Sequence, residues 1–157
     1  MKILVISDSH RRGTVVDRII LNHPEAKHIF FLGDVVSDIE DLTYEYTDRT
    51  FHIVSGNCDM FSTYPNTDIA KIGNINIFYT HGNNFAVKSS VEHIKNAAKQ
   101  RNCKIALYGH THIPYTSYVD EIHIVNPGSC AESRGGKNSY ALIDIVDSGI
   151  VASIVYI

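Results

Sequence analysis

Five short apolar segments of this chain each run into an Asp, Asn or His, and this arrangement limits its fold more than any other feature. The first, Ile3–Ile6, is a continuous aliphatic run, which is typical of a strand buried on both faces. Because open α/β sheets bind ligands beyond the carboxyl ends of their strands, we expect the polar residues to meet at one site. Neighbouring glycines would allow tight turns and close backbone approach there. The polar segments are Asp8-Ser9-His10, Gly33-Asp34, Gly56-Asn57-Cys58-Asp59, His81-Gly82 and Gly109-His110-Thr111-His112.

The remaining patterns predict one α/β domain over residues 1–157, with two sheets and no repeat or linker. Helices are predicted at Thr14–Asn22, with Thr14 as N-cap, at Val35–Tyr46 and at Ser89–Arg101. In the last helix we expect an apolar face opposite a basic one, namely Val91, Ile94 and Ala98 against Lys95, Lys99 and Arg101. Strands are predicted at residues 3–6, 29–32, 51–54, 68–72, 75–79, 105–108, 118–119, 122–125, 140–145 and 150–156.

Composition excludes several classes of protein. The 157 residues carry a net charge of −3 and no basic run, which argues against the footprint of a nucleic-acid-binding protein. The N-terminal apolar run is too short for a signal-peptide core or a membrane helix, which needs about 20 apolar residues. The chain is also shorter than a (β/α)₈ barrel of about 250 residues. Three cysteines without a C-x-x-C pair, Cys58, Cys103 and Cys130, predict a cytoplasmic protein.

The side chains at the five strand ends are suited to binding metal ions. Mixed imidazole and carboxylate ligands favour Mn²⁺, Fe, Zn²⁺, Co²⁺ or Ni²⁺ over Ca²⁺ or Mg²⁺. Seven ligands exceed what one four-coordinate ion needs, but they suffice for two ions if one carboxylate bridges them. Asp34 stands alone at its strand end and is the natural bridge. The seven candidates are Asp8, His10, Asp34, Asn57, His81, His110 and His112.

The motifs D-x-H, G-D, G-N-x-D, H-G and G-H-T-H, in that order, resemble those of the calcineurin-like metallophosphoesterases. The short chain and the later Asn126-Pro127-Gly128-Ser129 are similar to the small YfcE-like phosphodiesterase branch. The resemblance implies a four-layer αββα sandwich of two mixed sheets flanked by helices. It also implies a small phosphate ester as substrate, with a diester preferred and a phosphomonoesterase left open. We expect no nucleic-acid partner other than a small nucleotide substrate, and no membrane association. A homo-oligomer is left open.

The resemblance assigns a role to each candidate ligand. It implies two divalent ions, manganese first and nickel, iron, zinc or cobalt as alternatives, with a bridging hydroxide that attacks phosphorus. Asn57 would also stabilise charge on the phosphoryl oxygens. Asp8, His10 and His112 would hold one ion, Asn57, His81 and His110 the other, and Asp34 would bridge them.

Cys58 departs from the family pattern and is the second catalytic candidate beside Asn57. Most members of the superfamily carry a histidine there, which is thought to protonate the leaving oxygen. A thiol can donate a proton in principle, although an ordinary thiol pKa is about 8.5. We therefore expect esters with good leaving groups to be hydrolysed best.

The sequence leaves a second function open. The retromer subunit that resembles this branch serves mainly as a protein-binding platform, so a scaffold is the alternative function. That subunit departs from the ligand set at the position matching His81, whereas all positions are filled here, which favours catalysis.

Four further polar residues each have two interpretations. Asn126 and Ser129 either border the site or form a simple turn, and Arg134 and Lys137 are either solvated or in contact with phosphate. We expect no ligand role for His23, His28, His52, His93 and His123, and we expect Cys103 and Cys130 to be buried.

Overall fold

The computed structural model describes residues 1–157, which form ten strands and three α-helices. None of the three helices is long and apolar enough to cross a membrane. A 3₁₀ turn at Asn83–Phe85 follows the fifth strand. In chain order the elements are β1 (Lys2–Ile6), α1 (Gly13–Leu21), β2 (Ala26–Phe31), α2 (Ser37–Glu45), β3 (Thr50–Ile53), β4 (Thr67–Ile72), β5 (Ile75–Thr80), α3 (Glu92–Gln100), β6 (Ile105–Leu107), β7 (Tyr115–Val119), β8 (Ile122–Asn126), β9 (Ser139–Val146) and β10 (Gly149–Tyr156).

The strands form two mixed sheets of five strands each. The first sheet has the order β10-β9-β1-β2-β3, in which β1, β2 and β3 are parallel and β9 runs antiparallel to both β1 and β10. The second has the order β4-β5-β6-β8-β7, with β5, β6 and β8 parallel and an antiparallel strand at each edge. The parallel strands are central in the second sheet, whereas in the first sheet they include the edge strand β3. The carboxyl ends of five of the parallel strands carry the polar loops.

The apolar side chains form three layers of core that separate four layers of structure. Ile3 and Val5 of β1 lie in the core between the sheets, together with Ile77 of β5 and Leu107 of β6. On the other face of the first sheet, alternate residues of β1 and β2 contact α1 and α2. The helix α3 contacts the outer face of the second sheet, where Phe78 is fully buried. The predicted four-layer αββα sandwich is therefore confirmed.

The helices begin and end at different residues from those predicted, and the prediction of Thr14 as N-cap is wrong. The first helix begins at Gly13, and its cap residue Arg12 makes no side-chain capping bond. Instead, the backbone N–H of Arg12 donates to Asp38 Oδ2 at 3.0 Å, a partner from α2 that the local sequence does not reveal. The third helix begins at Glu92 rather than at residue 89, because residues 86–89 form turns.

Lys95 of α3 is buried, although the helical pattern places it on the basic face. Its ammonium lies 2.9 Å from Glu92 and 3.1 Å from Asp120, in the turn between β7 and β8. The turn between two strands therefore covers a helix face that the helical period alone predicts to be exposed.

Candidate metal centre

The loops after β1, β2, β3, β5 and β6 bring the seven candidate ligands together at one edge of the sandwich. Asp8 and His81 are fully buried, and Asp34 and His112 are nearly so. His10 and His110 are half-buried, while Asn57 is exposed. Most of the site is therefore shielded from water, with one open side at Asn57.

Four of these residues form one compact group. Asp8, His10, Asp34 and His112 each place a ligand atom within 4.8 Å of the other three. His112 Nε2 lies 3.2 Å from both Asp8 Oδ1 and His10 Nε2. Such a cluster of imidazole and carboxylate groups matches the donor set of a divalent transition metal.

A second group surrounds His81. Its Nε2 lies 3.2 Å from Asn57 Oδ1, 3.2 Å from His110 Nδ1 and 3.5 Å from Asp34 Oδ2. The same Asp34 oxygen lies 3.8 Å from His10 Nε2 of the first group. One side-chain oxygen of Asp34 thus lies near an imidazole nitrogen of each group.

Backbone carbonyls orient two of the imidazole rings. His81 Nδ1 lies 2.7 Å from Leu32 O, and His112 Nδ1 lies 2.7 Å from Glu132 O. A carbonyl can only accept, so each Nδ1 carries the proton and each Nε2 presents its lone pair to the site. Such contacts are the usual support of metal-binding histidines.

The carboxylate of Asp8 is held as if to bind a cation. Its Oδ2 accepts hydrogen bonds from Ser7 Oγ at 2.6 Å and from the backbone N–H of His110 at 3.1 Å. Its Oδ1 is buried without a hydrogen-bond partner, a costly state for a carboxylate oxygen unless a cation satisfies it. Burial favours the neutral acid, but His112 and His81 outweigh it and lower the pKa of Asp8. The residues present therefore fit a bound metal.

The pKa values of the two histidines of the G-H-T-H motif are shifted in opposite directions. Burial, with His81 and Lys88 nearby, lowers the pKa of His110, which favours the neutral ring that can bind a metal. The pKa of His112 is raised, first by its contact with Asp8. A proton would thus compete with a metal at His112 before it does so at His110.

The backbone of the site is strained. Asp8, His10, Asp34, His110 and His112 all have φ between 45° and 65°, in the left-handed region that few residues other than glycine adopt. The β-branched Val35 has φ of 77°, which is costlier still. Strain of this kind costs about 1–3 kcal/mol per residue and persists where the surroundings enforce it.

Glycines next to the ligands permit close approach, as the sequence predicts. A side chain at Gly56 would overlap Oδ1 of Asp34, and one at Gly109 would overlap Oγ of Ser7. Loops from separate strands can therefore meet directly at the ligand carboxylates.

Asp59 enforces part of this strained backbone, a role that is not predicted from the sequence. Its carboxylate accepts backbone N–H groups from Asp34, Val35 and Val36 at 2.9 Å each and from Gly56 at 2.8 Å. It therefore ties the loop after β2 to the loop after β3. Its position in the G-N-x-D motif is the sequence feature that could have predicted this role.

Asn126 and Ser129, which the sequence left between a site edge and a simple turn, support the ligand loops from behind. Both are fully buried. Asn126 Nδ2 donates to Gly109 O and to Thr111 Oγ1, each at 2.9 Å. Ser129 Oγ donates to Asp8 O at 2.7 Å.

Cys58 lies at the exposed rim beside Asn57, whose Nδ2 donates to its Sγ at 3.5 Å. Partial burial and the charge of Asp34 raise the pKa of Cys58 to about 11. Its backbone N–H donates to Asp34 Oδ1 at 2.9 Å, so this residue also positions the shared carboxylate.

The residues expected to lie outside the site do so. His23 contacts Tyr140 OH at 2.7 Å, and His28 contacts His52 at 3.2 Å. His93 is exposed and His123 lies against Tyr118. Cys103 and Cys130 are buried, as predicted. Arg134 and Lys137 are exposed, although the backbone N–H of Arg134 donates to His112 O at 3.0 Å.

Comparison with solved structures supports the fold. A crystal structure of an uncharacterized Streptococcus pneumoniae protein, described as a predicted phosphoesterase, superposes with a TM-score of 0.87 at 27% identity. The match covers 99% of this chain and 88% of that one.

Two curated relatives differ in what their names imply. Phosphodiesterase YfcE of Escherichia coli is 25% identical, over 92% of this chain and 88% of its own length. Vacuolar protein sorting-associated protein 29 of Schizosaccharomyces pombe is 29% identical, over 99% of this chain and 83% of its own length. Residues 1–148 match the calcineurin-like phosphoesterase superfamily domain. This protein, with its five polar loops gathered at one edge of a double sheet, therefore belongs to the calcineurin-like phosphoesterase superfamily.

Proposed function

We propose that this protein is a phosphodiesterase that uses two divalent metal ions, manganese first among them, to hydrolyse small phosphate esters. The observation that carries the proposal is the position of Asp34 Oδ2, 3.8 Å from His10 Nε2 and 3.5 Å from His81 Nε2. One carboxylate oxygen thereby belongs to two groups of ligands.

The residues divide between two ions. Asp8, His10 and His112 would hold the first, Asn57, His81 and His110 would hold the second, and Asp34 would contact both. Bound there, the ions would activate water and neutralise charge on the phosphoryl oxygens. The buried Asp8 Oδ1, which lacks a hydrogen-bond partner, supports this assignment.

The residues at the rim would act on the substrate directly. Asn57 directs Oδ1 towards His81, which leaves its Nδ2 on the outer side to donate to a phosphoryl oxygen. Cys58 keeps its proton at neutral pH, because its pKa is raised to about 11, so it is a weak acid for the leaving oxygen. Esters with good leaving groups are therefore the preferred substrates.

The leaving-group preference has its own test. Replacement Cys58→His is expected to raise the rate on alkyl phosphodiesters more than on aryl phosphodiesters, by about 10²-fold when leaving-group protonation limits the rate. Equal effects on both kinds of ester would contradict a missing general acid at this position.

The primary test is turnover of an aryl phosphodiester and its matched monoester, with Mn²⁺ added or removed by a chelator. We expect the diester to be hydrolysed faster, activity to depend on Mn²⁺, and metal analysis to give two ions per chain. Faster turnover of the monoester would instead indicate a phosphomonoesterase.

A protein-binding scaffold is the second candidate, because the chain is 29% identical to a protein named for vacuolar protein sorting. The complete set of Asp, Asn and His ligands favours catalysis over this alternative. Absence of turnover with any of Mn²⁺, Ni²⁺, Fe²⁺, Zn²⁺ or Co²⁺ would favour the scaffold.

The three free thiols support our further proposal that the protein resides in the cytoplasm.

A further inference from the structure

Two large apolar side chains stand in solvent directly after the G-N-x-D motif. Met60 is 82% exposed and Phe61 is 95% exposed. Single exposed apolar residues are common on protein surfaces. These two, however, are adjacent to each other and to the rim of the metal centre, where an exposed apolar surface is a mark of ligand binding.

Met60 and Phe61 line a cleft of about 380 Å³ that also includes Arg11 and Cys58. Arg11 follows the candidate ligand His10, and Cys58 follows the candidate ligand Asn57. The cleft therefore opens beside the centre where a phosphate group would be bound. Its volume is within the range of about 300–1,000 Å³ that is usual for small-molecule sites.

The cleft offers a cation without a partner. The guanidinium of Arg11 is exposed and makes no ion pair or hydrogen bond within the protein. A planar guanidinium stacks well on aromatic rings, and Phe61 and Met60 supply apolar contacts for such a ring. A flat aromatic group is thus the ligand that matches all three side chains.

Backbone hydrogen bonds hold another part of the cleft lining in place. Val35 and Val36 belong to this part, and the backbone N–H of each donates to Asp59 Oδ1 at 2.9 Å. The backbone N–H of Cys58 donates to Asp34 Oδ1 at 2.9 Å. A preformed lining reduces the ordering cost of binding.

We propose that this cleft binds an aromatic ring carried by the phosphate ester, with Arg11, Met60 and Phe61 as the residues that select it. The proposal rests on the proposed phosphodiesterase function and names its substrate class, an ester that bears an aryl ring or a nucleobase. With the phosphate at the metal centre, the ring would occupy the cleft that Cys58 also lines.

The kinetic test compares three diesters: an aryl ester, a cyclic nucleotide and a dialkyl phosphate. Replacement Phe61→Ala is expected to raise KM about tenfold for a ring-bearing ester and to leave the dialkyl ester and kcat unchanged. Replacement Tyr44→Ala is the matched control, because Tyr44 is an 81% exposed aromatic residue on α2 outside the cleft. Whichever ring-bearing ester responds identifies the source of the ring. An equal effect on the dialkyl ester, or no effect on either ring-bearing ester, would overturn the proposal.

A second measurement does not depend on turnover. The chain contains two methionines, Met1 and Met60, so methyl labelling gives two NMR signals. Adding phenyl phosphate or a nucleoside monophosphate should shift the Met60 signal and leave Met1, which is 51% exposed, unchanged. Methyl phosphate, which has no ring, should shift neither. If both signals shifted equally, or neither shifted, ring binding in this cleft would be refuted even if the enzyme were active. A shift of the Met60 signal without turnover would reject only the diesterase function.

Discussion

Strand β1 and the loop that follows it differ sharply, although they are neighbours in the chain. Ile3 to Ile6 are regular, apolar and fully buried, with each face of the strand packed against a different layer. Asp8 and His10, only a few residues later, are polar and have left-handed backbone conformations. The comparison shows that the apolar layers supply stability, whereas the loops use part of it to hold polar side chains in one place.

The largest predicted effect is on activity and comes from the loops. Replacement Asp34→Asn removes the shared carboxylate charge but keeps a residue that tolerates left-handed φ. We expect kcat/KM on an aryl phosphodiester to fall by about 10³-fold or more, with the free energy of unfolding changed by less than about 1 kcal/mol. Metal analysis should show loss of bound ion. The exposed His93→Gln variant is the control, and full activity in Asp34→Asn would contradict the division between stability and function.

The next largest predicted effect is on stability and comes from β1. Replacement Ile3→Ala leaves a cavity between the sheets and should lower the free energy of unfolding by about 3 kcal/mol, as measured by urea denaturation. Metal affinity of the folded protein should stay within about threefold, because no ligand is touched. Ile69→Ala, at a 40% exposed position on β4, should cost less than about 1 kcal/mol. A loss at Ile3 no larger than at Ile69 would show that this core is not tightly packed.

Asp59 connects the two regions, so its replacement should affect both. Asp59→Asn replaces a carboxylate that accepts four backbone N–H groups with an amide that has one acceptor oxygen. We expect the free energy of unfolding to fall by about 2 kcal/mol. Metal affinity, measured by calorimetry, should fall about 10- to 100-fold, as is usual when the support of a ligand is lost. Asp41→Asn, at an exposed position on α2, should change neither property. An effect on stability alone would restrict Asp59 to a structural role.

The smallest predicted effect is a dependence of stability on pH away from the metal centre. Burial, with His28 nearby, lowers the pKa of His52 to about 4. The unfolded chain takes up this proton below its ordinary pKa of 6.5, whereas the folded protein resists it until about pH 4. Stability should therefore fall as the pH is lowered from 6.5 to 4.

Partial exposure limits this effect to about 1–2 kcal/mol. Unfolding at pH 7 and pH 5, in the presence of a chelator, measures it. The groups facing His52 include His28, Asp68 and the rings of Phe30 and Tyr79. The His52→Phe variant should show a weaker dependence, and His93→Gln should behave as wild type. An unchanged dependence in His52→Phe would assign it to other residues.

The predictions from sequence succeeded where the signal is local. A continuous apolar run such as Ile29–Leu32 indicates a buried strand because both faces of the pleat must be covered. Glycines beside polar residues indicate tight turns, as at Gly56 and Gly109. The four-layer architecture came from the order of the motifs and their family resemblance.

The predictions failed or stayed open where the partner lies elsewhere in the fold. The start of α1 depends on Asp38 of α2, and the burial of Lys95 depends on Asp120, in the turn after β7. No period within one helix contains that information. Two alternatives at Ser129 were equally good until its contact with Asp8, 121 residues away, showed it supporting a ligand loop.

The sequence by itself determined which residue types end the parallel strands, in what order, and therefore which metal ions the proposed centre would favour. Periodicity and turn chemistry act over a few residues, so they can be recognised in the linear chain. Tertiary structure alone decided which oxygen of Asp34 is shared, which nitrogen each histidine presents, and where Met60 and Phe61 form a cleft. Those properties depend on contacts between loops from different strands, and such contacts exist only when the two sheets have packed together.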